Sequence, residues 1–216
     1  MSERKRKKKR KPAGRPVVLF VVGGVVLLLL LVVVGGLSIW GFARWRAGSA
    51  AVAPESYATY KAPEGAFQCE YPSGWTVQRQ GIKDHYEVTF TKGNASIRIS
   101  QSLAGSAMGD IAGAGPDPGN DPERQPVARV HAFKQAQVAE EMSGYKEEQA
   151  ETVPGRFGGA RRSAFTATGL LGRKIRGYRA TALGPMIQYD ILCQCPESDW
   201  EVLRPVFARV IESLGN

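Results

Sequence analysis

Two histidines, three cysteines and a few clustered charges carry whatever chemistry this 216-residue chain can perform. His85 lies in Lys83-Asp84-His85-Tyr86-Glu87, at the start of an expected strand, and His131 falls inside an expected helix. An imidazole titrates near neutral pH and is the commonest general base, yet neither histidine belongs to a catalytic signature. The chain holds no G-x-S-x-G, H-E-x-x-H, P-loop or Rossmann fingerprint. No catalytic, cofactor-binding or metal-ligating residue is therefore assigned, and an envelope enzyme using His85 stands only as an alternative.

Cys69, Cys193 and Cys195 are an odd set, so at most one intramolecular bridge can form. Cys193 and Cys195 are two apart in an expected strand and face one side of it; Cys69 reaches either only from an adjacent strand. Buried thiols, a bridge to Cys69 and a soft-metal site are the three readings. The run Asp117-Pro118-Gly119-Asn120-Asp121-Pro122-Glu123 gathers oxygen ligands but lacks the alternating spacing of a calcium loop, and its prolines fix the wrong turns. It reads as a polar loop. Arg161, Arg162, Arg173, Lys174, Arg176 and Arg179 fall on two consecutive expected strands and offer a patch for an acidic partner. Glu147, Glu148 and Glu151 on the strand before them offer cross-strand pairing instead. Tyr71 and Trp75, bracketing a turn, read as core. Asn94-Ala95-Ser96 is a glycosylation sequon, relevant where the host glycosylates.

The elements that position these residues begin with a membrane signal. Arg4, Lys5, Arg6, Lys7, Lys8, Lys9, Arg10, Lys11 and Arg15 precede an apolar stretch from Val17 to Ala43 that holds no ionisable residue. As a helix that stretch spans roughly 40 Å, more than the ~30 Å hydrocarbon core of a bilayer. It is also longer than the h-region of a cleaved signal peptide. Only Arg44 and Arg46 follow it, so the charge bias places the N-terminus in the cytoplasm and the rest across the membrane, with Trp40 and Trp45 at the exit. The formal net charge of +9 is misleading as a nucleic-acid signal. Residues 1–46 hold 11 of the 29 Lys/Arg and one of the 20 acids, leaving the remainder at −1. The basic tail suits the anionic lipid of the cytoplasmic leaflet, and nucleic acid is not expected as a partner.

The expected organisation is a basic tail over 1–16, a transmembrane helix over 17–43, an Ala/Pro/Ser/Glu-rich linker over 44–65 and one domain over 66–216. Within the domain, Ala66–Tyr71 alternates with Phe67, Cys69 and Tyr71 on one face. His85–Thr91 and Ala95–Leu103 flank the turn Lys92-Gly93-Asn94 as a hairpin, with Gln101 interrupting an apolar face. A Gly/Pro/Asp/Asn-rich loop over about 104–126 is too long for an ordinary connection. A helix follows over Val127–Met142, with Val127, Val130, Val138 and Met142 on its apolar side. Strands are expected near Glu147–Val153, Ala160–Thr168, Arg173–Leu183 and Met186–Cys195. The final helix opens with Ser198 and Glu201 as a capping box. It buries the stripe Trp200, Leu203, Phe207, Val210 and Leu214, with Pro205 expected to kink it or shorten its first turn. Runs of antiparallel strands broken by two helices indicate an α+β layered fold.

The strand running into Tyr71-Pro72-Ser73-Gly74-Trp75 resembles the opening Y-P-x-G-W of PsbP-like domains. The closing Trp200-x-x-Leu203-x-Pro205-x-Phe207-x-x-Val210-Ile211-x-Ser213-Leu214 is similar to that family's terminal helix. The resemblance covers about residues 57–216 and implies an α/β/α sandwich around a central antiparallel sheet. Members include extrinsic subunits of photosystem II, a nuclear import factor that binds a small GTPase, and bacterial envelope proteins, and they act mostly by binding other proteins. The membrane anchor and basic tail depart from the photosynthetic subunits. The expectation is a single-pass inner-membrane protein, bacterial in layout, displaying a non-catalytic interaction domain to an envelope partner without a cofactor. A small-ligand or metal-binding envelope module is the alternative.

Overall fold

Ala95–Leu103 alternates buried and half-buried residues along most of its length, and this register organises the whole sheet. The structure, a computed structural model, describes residues 51–82, 85–103, 121, 125–154, 160–184 and 187–215, all within the compact unit Ser49–Asn216. The basic tail, the apolar stretch 17–43 and most of the 104–126 loop lie outside the described residues, as does the Asp117–Glu123 run apart from Asp121. Among the described residues no helix is long and apolar enough to cross a membrane.

Among the described residues ten strands form: β1 (Tyr57–Lys61), β2 (Gln68–Pro72), β3 (Thr76–Ile82), β4 (His85–Lys92), β5 (Ala95–Leu103), β6 (Lys146–Glu147), β7 (Glu151–Val153), β8 (Ala160–Thr168), β9 (Lys174–Gly184) and β10 (Ile187–Pro196). The two α-helices among the described residues are α1 (Pro126–Glu141) and α2 (Trp200–Ser213). Eight strands make an antiparallel sheet in the order β3-β4-β5-β10-β9-β8-β6, with β7 also paired to β8. β1 and β2 form a separate two-stranded ribbon.

Strand alternation sends one set of side chains to each face of the sheet. On the first face Val88, Phe90, Ile97, Ile99, Tyr189, Ile191 and Cys193 are buried together with Trp200, Leu203, Phe207 and Val210 of α2. The ribbon closes the same core with Tyr60, Phe67 and Cys69. Each fully buried large side chain contributes about 1.5–3 kcal/mol, so this face holds most of the domain's apolar stabilisation. Tyr71 stacks on Phe90 at 4.6 Å and Trp75 is buried, placing both aromatics in the core. α1 packs on β8 and β9, where Arg179, Thr181 and Ser163 face the second side.

Several local expectations are corrected. β1 lies inside the stretch 44–65 read as a linker. Its polar, Ala-rich surroundings hide the signal, because Tyr60 alone of its five residues is fully buried. The strand expected over 147–153 is two pieces. The Arg161 guanidinium donates to the Ala150 carbonyl at 3.1 Å and to Thr152 Oγ1 at 2.8 Å, filling the gap between them. No capping box forms at α2. A 3-10 turn at Glu197–Asp199 precedes the helix, the Ser198 hydroxyl donates to the Asp199 carboxylate, and Pro205 sits inside a helix that runs on past it. In α1 the buried residues are Ala128, Val130 and His131, so a histidine occupies the place expected of Val127, Val138 and Met142.

A sealed histidine cluster and an open groove

α1 is held to the sheet by buried Ala128 and Val130, by Lys134 3.8 Å from Asp190, and by His131. Among its described features are an N-cap without a side-chain hydrogen bond, no acid in its first turn and no base in its last. Its inward face is short, and His131 supplies the polar grip. Nδ1 lies 3.0 Å from Thr181 Oγ1 on β9, and Nε2 lies 2.8 Å from Ser163 Oγ on β8. Nε2 is also 3.3 Å from Glu147 Oε1 on β6. An ionised carboxylate can only accept, so Nε2 carries the proton and Nδ1 accepts from the Thr181 hydroxyl.

Glu147 is the hub, its side chain 2% exposed. Arg179 grips it side-on, with Nη2 at 2.6 Å and Nε at 3.2 Å from Oε1, and Tyr145 donates to Oε2 at 2.7 Å. Burial pushes the Glu147 carboxyl up, but hydrogen bonds from His131, Arg179 and Tyr145 outweigh it and hold the group at about 2. Burial pulls His131 down; the Glu147 hydrogen bond opposes this, and the Arg179 and Arg161 charges reinforce it. Burial and the Glu147 carboxylate raise the Tyr145 phenol.

The cluster contains Ser, His and Glu within hydrogen-bond reach, but in the wrong order for nucleophile activation. A triad needs the hydroxyl on one ring nitrogen and the carboxylate on the other. Here Ser163 and Glu147 share Nε2, and Thr181 occupies Nδ1. With Ser163, Thr181 and His131 all buried, the arrangement is a clamp between helix and sheet.

Beside α1 the second face is open. A groove of about 640 Å³ runs along β4, β5 and β10, walled by Phe133 and Lys134 of α1. Across its floor the register sets Glu87 opposite Ser100 and Ser100 opposite Asp190. Glu87 accepts from Ser100 at 2.9 Å and from Gln80 at 2.7 Å. Asp190 accepts from Gln188 and lies 3.8 Å from the Lys134 ammonium. Phe133, 55% exposed, and Leu103 stand apolar at its mouth. A smaller hollow of about 150 Å³ continues it between Gln137, Val138 and Glu141 of α1 and Arg98, Arg179 and Leu192 of the sheet.

His85 lines this groove at the start of β4, exposed and apart from the buried cluster. The six basic residues are spread by alternation over both faces. Arg179 pairs with Glu147 and Arg161 points into the β6–β7 gap. On the opposite face Arg162 pairs with Glu151 at 2.7 Å and lies over the Tyr178 ring, while Arg176 pairs with Glu148 at 3.5 Å and lies over Trp200. Lys174 lies 3.8 Å from Glu197, and Arg173 closes the Leu170–Gly172 turn. Cys69, Cys193 and Cys195 are free and buried, with Cys69 and Cys195 pushed up by burial to about 12. The nine basic residues of the tail lie outside the described residues. The sequence reading missed the cluster. Its one legible signal was a pair of polar residues spaced two apart on each of two successive expected strands, Arg161/Ser163 and Arg179/Thr181.

No protein-family model matches the sequence, and no curated protein matches it. Solved structures do. Cyanobacterial PsbP (CyanoP) from Synechocystis sp. PCC 6803 superposes with a TM-score of 0.52 at 13% identity, covering 77% of this chain and 96% of that one. LpqN, involved in cell envelope biogenesis of Mycobacterium tuberculosis, gives 0.46 at 12% identity, with 74% and 90% covered. A protein of unknown function from Pseudomonas aeruginosa, PA94, described as a putative regulator, gives 0.41 at 12%, with 73% and 94% covered. At such identities the likeness to cyanobacterial PsbP is one of fold: a large antiparallel sheet with two helices, arranged in the PsbP-like way.

Proposed function

We propose that this protein is a membrane-anchored, extracytoplasmic binding module, non-catalytic, that docks an envelope or membrane-complex protein along the groove beside α1. The groove carries this reading. Its carboxylates are engaged by neutral donors, by Lys134 and, at 4.0 Å, by Arg98, so it presents a patterned hydrogen-bonding floor with an apolar rim at Phe133 and Leu103. Polar surface around a partly exposed aromatic is the composition of an interaction hot spot. The basic tail and the apolar stretch 17–43 support an N-in, single-pass inner-membrane placement. The test places a photo-crosslinking residue at position 133 of the full chain in its native membrane, beside a full chain that carries it instead at the exposed position 92. A partner captured at 133 and competed away by Ser100→Arg supports the reading. The same background from both chains refutes it.

A second reading, a small-ligand module, is favoured by volume, since about 640 Å³ lies within the range of ligand pockets. A ligand that raises the melting temperature of the wild type and not of Ser100→Arg would select it.

A further inference from the structure

We infer that α1 is an acid-releasable wall of the groove, latched to the sheet by His131. That the groove binds a partner rests on the reading above; the latch itself does not. Phe133, Lys134, Gln137 and Val138 of α1 form one side of the open groove and its smaller extension. Three α1 residues are buried, and one of them is the histidine. The helix therefore lacks the broad apolar stripe that normally holds a surface helix down, and the ring under it sits among fixed hydrogen bonds.

The groups facing that ring are Ser163 and Arg161 of β8, Arg179 and Thr181 of β9, Glu147 of β6 and, through Glu147, Tyr145. Between pH 7.5 and 5.5 the group that titrates is the ring itself. Glu147 stays ionised and Tyr145 stays neutral. Protonating docked His131 means adding a proton to Nδ1, which turns the Thr181 hydroxyl from donor to acceptor. Its hydrogen must then find another acceptor in a fully buried site. The new charge also lies beside two guanidiniums that burial screens poorly. A released helix has no such cost, because its imidazole is in water.

The sign follows. The docked ring's affinity for a proton lies below the ordinary 6.5, so acid favours the released state, starting as pH falls through 6.5. With a solvated histidine at about 6.5, the released population rises at most about tenfold between pH 7.5 and pH 5.5.

The experiment is amide hydrogen exchange on the full chain in lipid nanodiscs, corrected for intrinsic rate, at pH 7.5 and 5.5. The expected result is exchange in residues 126–141 accelerated up to tenfold while β9 and β10 keep their protection, with the acceleration absent in His131→Gln. Unchanged α1 exchange overturns the inference, as does acceleration that persists in His131→Gln. So does α1 exchanging in step with β9 and β10, since the helix would then open only by global unfolding. Should His131→Gln fail to fold, the imidazole nitrogen shifts of the wild type decide. A His131 midpoint below 6.5 with Nε2 protonated supports the latch, and one above 6.5 refutes it. None of these readouts requires a partner, so failure of the latch and failure of the docking proposal are separately visible.

Discussion

Replacing Glu147 by Gln isolates what the buried carboxylate contributes. The change keeps the size of the side chain, removes the charge, and turns one of the two oxygens that accept from Arg179 and Tyr145 into a donating NH2. Two routes give the magnitude. Holding the carboxyl at about 2 against an ordinary 4.5 corresponds to about 3 kcal/mol in favour of the ionised form. Leaving a buried guanidinium without its counter-charge costs about 3–5 kcal/mol, and Arg179 is itself buried, with Nη1 lacking a partner among the described residues. The side chain is 2% exposed, so solvent screening discounts neither figure. Urea unfolding followed by tryptophan fluorescence, with Trp75 and Trp200 both buried, should show Glu147→Gln about 3 kcal/mol less stable at pH 7. A depressed carboxyl contributes stability that is complete above its unfolded value and lost as pH falls through its folded one. The gap between the two proteins should therefore narrow from pH 4.5 toward pH 2. A loss below 1 kcal/mol at pH 7, or a gap that stays constant down to pH 2.5, would sink the argument.

Trp200→Ala removes a buried ring that meets Tyr178 edge-on at 5.0 Å and carries Arg176 over its face. It should cost about 3–5 kcal/mol and lower the melting temperature by roughly 10 °C in a scanning calorimeter. Gly177→Ala would put a methyl 2.0 Å from the Cys193 carbonyl oxygen and 2.6 Å from the Phe165 ring. Because one neighbour is backbone, calorimetry should find a loss of at least about 1–3 kcal/mol, whereas a neutral result would show that β9 shifts freely. All three thiols should resist iodoacetamide at pH 8 in the native protein and react once it is unfolded, by intact-mass spectrometry. Native modification within minutes would contradict their burial.

What the sequence made legible was periodicity. The α2 stripe from Trp200 to Leu214 lies buried as spaced, and the β4–β5 hairpin turns at Gly93, whose φ of +59° needs a glycine. Local hydropathy was a poor guide where burial is slight or polar. β1 buries Tyr60 and little else, so nothing lifted it from its linker-like surroundings. α1 read as a helix with Val127, Val130, Val138 and Met142 on its apolar side, because its anchor is a hydrogen-bonded imidazole, which no hydropathy scale counts as apolar. The candidate site was hidden for a deeper reason. Residues 131, 145, 147, 163, 179 and 181 converge only through the pairing of β6 with β8 and β8 with β9, and spacing along a chain does not encode that order. Gln101, which interrupts an apolar run, is buried with Oε1 unpartnered among the described residues; we have no physical account of it.

The strand order also bears on how the domain is made. β10 lies between β5 and β9 and pairs along nearly its full length with both. A chain emerging from its N-terminus thus completes β3-β4-β5 and β8-β9 as separate fragments, each with an open edge, before the strand that joins them exists. Unpaired edges are where nascent chains find wrong partners. The ribbon waits longer still, since Gln68 exchanges both backbone hydrogen bonds with Gly215 and the Glu70 amide donates to Ser213 Oγ. A single insertion, β10 followed by α2, then closes the sheet, seals the core and pins the ribbon through residues 213–215. Stalling the chain before residue 187 should leave it exposed to chaperones and proteases.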